Sequence, residues 1–158
     1  MLSTKSLFEN ENMYVGETII CGIHCDVGYV KKFKWAWMAT QLNTFVIVGR
    51  LEKNVDKQTM EAFSHACVKY AIANNKGWPR GLQSAVGAVA VLQAPGADQA
   101  TIDFCSKLSK KHWSAFEIPV FYNTTKKEAI RFQKNPAWGA IYMAYFKNII
   151  DNITGKMS

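Results

Sequence analysis

The residues of this chain with the clearest potential for chemistry are basic side chains interleaved with aromatic ones, between residues 107 and 131. Strands that bind single-stranded nucleic acid place lysines on the phosphates and aromatic rings on the bases. The same pattern arises when the lysines are solvated turn residues and the aromatic residues are core. The candidate anion- or nucleic-acid-binding residues are Lys107, Lys110, Lys111, His112, Trp113, Lys126, Lys127 and Arg131. The 158-residue chain has a formal net charge of +7, which also favours an acidic partner.

A second candidate site lies where two predicted parallel strands end. Arg50 follows one apolar run, and Gln93 begins the loop that contains Gly96 after another. In open sheets with a parallel crossover, ligands bind outside the carboxyl ends of such strands. A helix beginning near Asp98 would direct its amides toward the same place, although Asp98 would occupy those amides itself. We predict a ligand crevice at Arg50, Gln93 and Gly96.

The turn Gly-Trp-Pro-Arg-Gly, residues 77–81, precedes a predicted strand. A phosphate loop follows a strand and opens a helix, so this turn is not one. Either it stops a helix and packs Trp78 over the core, or it projects Arg80 and Gln83 toward a ligand or partner. Trp78, Arg80 and Gln83 are therefore candidate contact residues.

The cysteines are spread along the chain without a Cys-x-x-Cys pair: Cys21, Cys25, Cys67 and Cys105. Apolar neighbours favour their interpretation as reduced core thiols of a cytosolic protein. On one strand, Cys21 and Cys25 would lie about 13 Å apart, with His24 on the opposite face. On a helix, His65 and Cys67 diverge. We predict no metal site and no cofactor, and a cysteine–histidine pair only through a tertiary contact.

Paired carboxylates for metal-dependent hydrolysis are poorly supplied. Most of the 12 acidic residues fall on predicted helices or turns. Glu117 is followed by Pro119, and no acid in the neighbouring strands is spaced to help it hold a metal. We expect binding rather than catalysis, with enzymatic activity left open.

The first half of the chain predicts three strands and a helix. Short turns join the apolar runs at residues 17–25, 29–38 and 43–51, which favours an antiparallel meander. In the second run, aromatic residues alternate with lysines, and the aromatic face is predicted to be core. Asp56 is placed to cap a helix over residues 57–74, and Gly77 to end it.

The second half predicts a buried strand, two helices and a hairpin. The uncharged run 85–92 is typical of a strand buried on both faces, joined in parallel to 43–51 by a right-handed crossover. A helix follows to residue 108, then strands at 112–122 and 129–133, where Pro119 indicates an edge or a bulge. Asn135 and Pro136 begin a last amphipathic helix that ends near Ile153. The predicted fold is a single α/β or α+β domain with a mixed, largely antiparallel sheet and three helices, in the order βββαβαββα.

Residues 13–153 are predicted to form this one domain, with tails at 1–12 and 154–158, where composition permits disorder. No apolar run approaches the roughly 20 residues of a membrane span, and no signal core precedes the domain, so we predict a cytoplasmic protein without a membrane partner. The first hypothesis for function is a non-catalytic binding domain for an anion, nucleic acid above all. The alternatives are a small-ligand protein or enzyme using the crevice, and a homo-oligomeric structural domain, since 13% aromatic residues leave area for a self-interface.

Overall fold

The computed structural model describes residues 3–37, 39–77, 84–107, 111–112, 115–134 and 140–157. The helices are α1 (Thr4–Asn10), α2 (Lys57–Ala73), α3 (Gln99–Cys105) and α4 (Ala140–Lys156), with a short 3-10 helix at Trp35–Trp37. The strands are β1 (Tyr14–Ile20), β2 (Ile23–Lys34), β3 (Thr40–Arg50), β4 (Ser84–Ala94), β5 (Lys111–His112), β6 (Ala115–Asn123) and β7 (Glu128–Ile130).

All seven strands join one mixed sheet in the order β1-β2-β3-β4-β6-β5, with β7 also paired to β6. The meander β1-β2-β3 is antiparallel and β3 runs parallel to β4, as predicted. The hairpin predicted in the second half is present as β6 and β7, but a second crossover through α3, which was not predicted, makes β6 parallel to β4. The mixed-sheet fold is confirmed, with four helices rather than three because α1 precedes the first strand.

Helices cover both faces of the sheet. The α4 face is covered by α1 and α4, whose Phe8 and Phe146 pack in one core with strand residues such as Val89. The α2 face is covered by α2 and α3, whose Phe63 and Cys105 belong to the other core. Because strand side chains alternate, the residue number along a strand decides which face a side chain joins.

The predicted turns of the first half are misplaced. The chain turns at Cys21 and Gly22, whose φ angles of 52° and 75° are those of a tight hairpin, whereas residues 26–28 continue inside β2. Residues 40–42 likewise lie inside β3, and the chain turns just before them. Phe33 and Trp35, predicted as core, are 40% and 81% exposed.

Several predicted boundaries also change. Asp56 caps α2 as predicted, but the helix ends at Ala73 with Asn74 as its cap. Gly77 instead packs against the side chains of Gln41 and Asn43.

Both predicted tails contain ordered structure. Residues 4–10 form α1 because Leu7 and Phe8 are buried against the sheet. At the other end, α4 continues beyond residue 154, and Met157 is buried. Tertiary burial thus orders segments whose composition alone permits disorder.

The predicted features of the last third are partly outside the described residues. Asn135 and Pro136, predicted to begin α4, lie outside them. Pro119 lies within β6, opposite Ala90 of β4, on a stretch that neither β5 nor β7 pairs with on the other side. A proline is tolerated there because its missing N–H has no ladder partner to lose on that side.

Candidate ligand-binding cleft

A cleft lies on the α4 face, where the three parallel strands end. Arg50 of β3 is in register with Gln93 of β4, and Gln93 is in register with Tyr122 of β6. Each of these residues lies two positions after a valine of the α4-face core, so its side chain points to that same face. The three valines are Val48, Val91 and Val120. Alternation therefore brings one charged and two polar side chains into a single row at the carboxyl end of the sheet.

Two residues of β2 extend this row. Cys25 and Val27 pack in the α2-face core. Asp26 lies between them and His24 just before them, so both side chains point to the α4 face and line the cleft. Because β2 is antiparallel to β3, its beginning lies beside the end of β3, with Asp26 opposite Val48. The sequence already predicted that His24 points to the face opposite its neighbouring cysteines. That His24 and Arg50 line the same cleft, however, depends on the register between β2 and β3.

The cleft has a volume of about 510 Å³. The sheet row forms its floor, Thr4 at the start of α1 and Met157 after α4 contribute to its walls, and the β6–β7 turn supplies Thr124 and Lys127. A volume of a few hundred cubic ångströms is typical of small-molecule sites.

The β6–β7 turn holds Lys127 in place. The Asn123 Oδ1 accepts hydrogen bonds from the amides of Thr125 and Lys126 at 3.0 and 2.8 Å. The Thr124 amide donates to the Ala94 carbonyl at 3.0 Å, which fixes the turn to the end of β4. Lys127 then adopts a φ of 60°, and its exposed side chain lines the cleft.

The cleft contains one acidic side chain among its basic ones. Burial and the nearby Glu17 carboxylate raise the pKa of Asp26. Arg50 donates through Nε to Glu52 Oε1 at 3.0 Å, at a site where both side chains are more than half exposed. Gln93 donates through Nε2 to the Met157 sulfur at 3.4 Å, so its side chain is oriented before any ligand arrives.

Of the three predicted crevice residues, the structure brings Arg50 and Gln93 together and leaves Gly96 outside. The Gly96 carbonyl accepts from the Val55 amide at 3.0 Å, and its Cα packs against Asn54. Asp98 caps α3 through Thr101, on the α2 side of the sheet. The expected contribution of that helix to the crevice is therefore wrong.

The described residues of the predicted nucleic-acid site lie toward the two ends of β6. Lys111 pairs with Phe116 at the beginning of β6, whereas Lys126 and Lys127 follow its last residue, so the two lysine clusters lie about 23 Å apart along the strand. Phe116, Phe121 and Tyr122, the aromatic residues of the described part between them, are buried.

Arg131 and Lys126 already have acidic partners. Arg131 forms a bidentate pair with Asp151, with both N···O distances at 2.8 Å. Lys126 lies 3.9 Å from Glu128, and Lys107 is exposed just after α3. Nucleic-acid binding and self-association stay predictions.

Other candidate residues fall where less is described. Only the backbone of Lys111 and His112 is described. The remaining candidates lie outside the described residues, namely Trp78, Arg80, Gln83, Lys110 and Trp113.

One pair that sequence reasoning missed lies on the α2 face. Glu117 of β6 has a side chain only 2% exposed, and its Oε2 is 3.7 Å from Nδ1 of His65 on α2. The sequence placed His65 on the polar side of its helix, without this partner. Their meeting depends on the parallel crossover that carries β6 beneath α2.

The described part of the chain contains no group of three or more histidine, cysteine or acidic residues arranged for a metal ion. None of its helices combines the length and apolarity needed to cross a bilayer. Comparison with known family models, curated proteins and solved structures found no match for this chain.

Proposed function

We propose that this chain binds a small molecule carrying a phosphate or carboxylate group in the cleft, as a binding protein rather than a catalyst. The observation that carries the proposal is that Arg50 and Lys127, from two different elements, line one cleft at the carboxyl ends of the parallel strands. Two cations at the edge of a largely apolar cleft favour an anionic group at that point.

The anionic end of the ligand is expected between these two cations. A guanidinium has five N–H donors, and Glu52 occupies only the Nε of Arg50, so its terminal nitrogens remain to bind a ligand. Lys127 forms no ion pair with any described residue, so its ammonium supplies a second charge. Charge-assisted bonds of this type are stronger than those between neutral groups.

Other groups that line the cleft beside these cations favour polar, uncharged parts of a ligand. Asp26 and Gln93 offer hydrogen-bond acceptors to hydroxyl or amine groups. The raised pKa of Asp26 reflects a carboxylate that is only partly solvated, and such a group gains from a ligand donor. A small hydroxylated phosphate ester or a hydroxycarboxylate fits this set of groups.

Binding without catalysis is favoured by the surroundings of His24. A histidine acting as a base is oriented by a third group and faces a nucleophile. Among the described residues, His24 makes no side-chain hydrogen bond, and the cleft contains no thiol. His24 therefore enters the proposal as a polar contact for the ligand.

We assign this binding to the cytoplasm. All four cysteines are free, and three of them are buried. Unpaired thiols persist in reducing compartments, which supports the assignment.

The experiment is a thermal-shift titration with inorganic phosphate, pyrophosphate, a nucleoside monophosphate and a dicarboxylate, followed by calorimetry on any probe that stabilises. A probe at ten times its Kd would stabilise the fold by about 1.4 kcal/mol. For a chain of this length that is a rise in Tm of about 3–6 °C.

Arg50→Met and Lys127→Met should each weaken binding of that probe. Lys69→Met is the matched control, because Lys69 is an exposed lysine on α2, away from the cleft. If no probe raises the Tm, or if the control weakens binding as much as the two cleft variants do, the proposal fails.

A further inference from the structure

Two exposed aromatic side chains lie where β2 ends, far from the cleft, and the short 3-10 helix begins. Phe33 and Trp35 are 40% and 81% exposed, and their rings contact each other edge to face with centroids 5.3 Å apart. Trp37, two residues on, is buried. An almost fully exposed tryptophan next to a half-exposed phenylalanine is more apolar surface than the end of a hairpin needs.

Lysines surround this aromatic pair. Lys31, Lys32 and Lys34 are exposed, and none of them forms an ion pair within the described ranges. Lys34 places its Nζ 5.0 Å from the centre of the Trp37 ring, which fixes one of the three charges beside the aromatic cluster. Lysines alone are a common protection for an open sheet edge, but the exposed aromatic rings are not part of that protection.

The backbone of this segment is open on one side. β1 pairs with β2 only as far as Gly28, and the next outward N–H, that of Tyr29, donates to Met13 at 2.8 Å. Successive residues of an antiparallel strand direct their backbone groups to alternate sides, so the N–H group of Lys31 also points outward. No described strand covers it.

We infer that this segment, residues 31–35, binds single-stranded nucleic acid. The rings of Phe33 and Trp35 offer stacking surfaces for bases, which need no pocket because every base has a planar face. The lysines and the outward N–H group of Lys31 offer donors to phosphate oxygens. Lys31 and Phe33 lie on the same face of the sheet as Tyr29, and Lys32 and Lys34 on the same face as Val30. Charges on both faces of an edge strand match a linear polyanion along that edge better than a planar membrane surface.

This surface is separate from the cleft. Asp26 and Phe33 are seven residues apart on one strand, or about 23 Å. The inference therefore does not depend on the proposed small-molecule function, and either can fail without the other.

The experiment is fluorescence anisotropy of a labelled oligo(dT) of about ten nucleotides, within the range of known single-strand sites. Trp35→Ala should weaken binding about 5- to 150-fold, and Trp35→Phe should restore part of the loss because it keeps a stacking ring. Trp35 is exposed, so neither change removes a core side chain.

Salt dependence gives a second, independent readout. Three lysine–phosphate contacts predict that log K falls with log [salt] with a slope of about −2, and Lys31→Gln should make the slope shallower by about 0.7. Lys69→Gln is the matched control and should leave both the affinity and the slope unchanged.

The inference is overturned if Trp35→Ala leaves the Kd unchanged, or if the Lys69 control changes the slope as much as Lys31→Gln does. It is also overturned if vesicles containing anionic lipid bind the protein in a Trp35-dependent way while the oligonucleotide does not. That result would make the segment a membrane contact.

Discussion

The carboxylate of Glu117 lies in the core of the sheet, 2% exposed, with its Oε2 3.7 Å from Nδ1 of His65. Few glutamates are buried to this degree without a partner that compensates the loss of water. The imidazole is 44% exposed, so the pair connects the interior of the α2 face to solvent. Glu117 is the most deeply buried acidic residue of the described chain. The contribution of its pairing with His65 to the free energy of unfolding can be measured directly.

Removing the imidazole should destabilise the fold. His65→Ala leaves the buried carboxylate with one partner fewer, and the free energy of unfolding should fall by about 1–3 kcal/mol. Urea denaturation measures the change, with Lys69→Ala, an exposed residue of the same helix, as the control. In a double-mutant cycle with Glu117→Gln, a coupling energy near zero would show that the two side chains do not interact.

A second prediction concerns close packing between β4 and α4. A Cβ added at Gly87 would lie 2.6 Å from an atom of the Phe146 ring, which is fully buried. Gly87→Ala should therefore destabilise by about 1–3 kcal/mol, as overpacked cores do.

Gly155 provides the opposite case within α4. A Cβ there meets nothing within 4 Å, so Gly155→Ala should stabilise by up to about 1 kcal/mol through helix propensity. Thermal or urea denaturation of the two variants compares them directly. Equal effects of the two substitutions would contradict the packing seen at Phe146.

The ion pair of Arg131 and Asp151 predicts a dependence of stability on pH. The Arg131 guanidinium, through its bidentate hydrogen bonds, lowers the pKa of Asp151 below its ordinary value of 3.8. A carboxyl with a lowered pKa in the folded state contributes stability above its unfolded pKa and loses it as pH falls through the folded value.

Asp151→Asn should therefore lower stability at pH 7 by no more than about 1 kcal/mol, because Asp151 is 56% exposed and solvent screens the pair. The difference from wild type should shrink as pH falls below 3.8. Urea denaturation at pH 7, 5, 4 and 3 tests this, and a difference that grows toward low pH would contradict it.

The cysteines should divide into one reactive thiol and three inert ones. Burial raises the pKa of Cys25 to about 11 and of Cys105 to about 12, and raises that of Cys67 well above its ordinary value. Cys21 is exposed at the hairpin turn. Alkylation at neutral pH followed by mass spectrometry should modify one cysteine in the folded protein and all four in denaturant.

The Cys21→Ser variant should remain unmodified when it is folded. Rapid modification of a second cysteine in the native protein would show that the core opens more readily than its packing indicates.

Parts of the fold were predictable because they rest on local chemistry. The N-cap at Asp56 and the uncharged run ending near Gln93 are each signals contained in a few residues, and the order strand, helix, strand predicts the parallel crossover from β3 to β4. The position of Arg50 and Gln93 at one edge then follows from strand direction alone. Arg50 and Gln93 were predictable for this reason, whereas Gly96 lies outside the cleft, and His24 and Asp26 join it only through the register of β2 with β3.

The remaining features depend on long-range geometry or on unusual turn chemistry. Cys21-Gly22 forms a hairpin turn without the Asn or Asp that normally marks one, so every face assignment in β2 was open to error. The separation of Lys111 from Lys127, and the meeting of His65 with Glu117, both follow from the parallel position of β6. No pattern within one segment reports that position.

The last prediction concerns Glu52, which lies outside the cleft and competes for one of its cations. Its Oε1 accepts from Arg50 Nε at 3.0 Å, so an anionic ligand in the cleft must share the guanidinium with an exposed carboxylate. Exposed ion pairs contribute up to about 1 kcal/mol, and Glu52→Gln should therefore tighten anion binding by up to about fivefold while changing stability little. Calorimetric titration of the anion that stabilises wild type measures the change, with Glu128→Gln, which faces Lys126 instead, as the matched control. An unchanged Kd for Glu52→Gln, or an equal gain for Glu128→Gln, would mean that Arg50 is not the group that holds the anion, because only a direct contact with its guanidinium makes the neighbouring carboxylate a competitor.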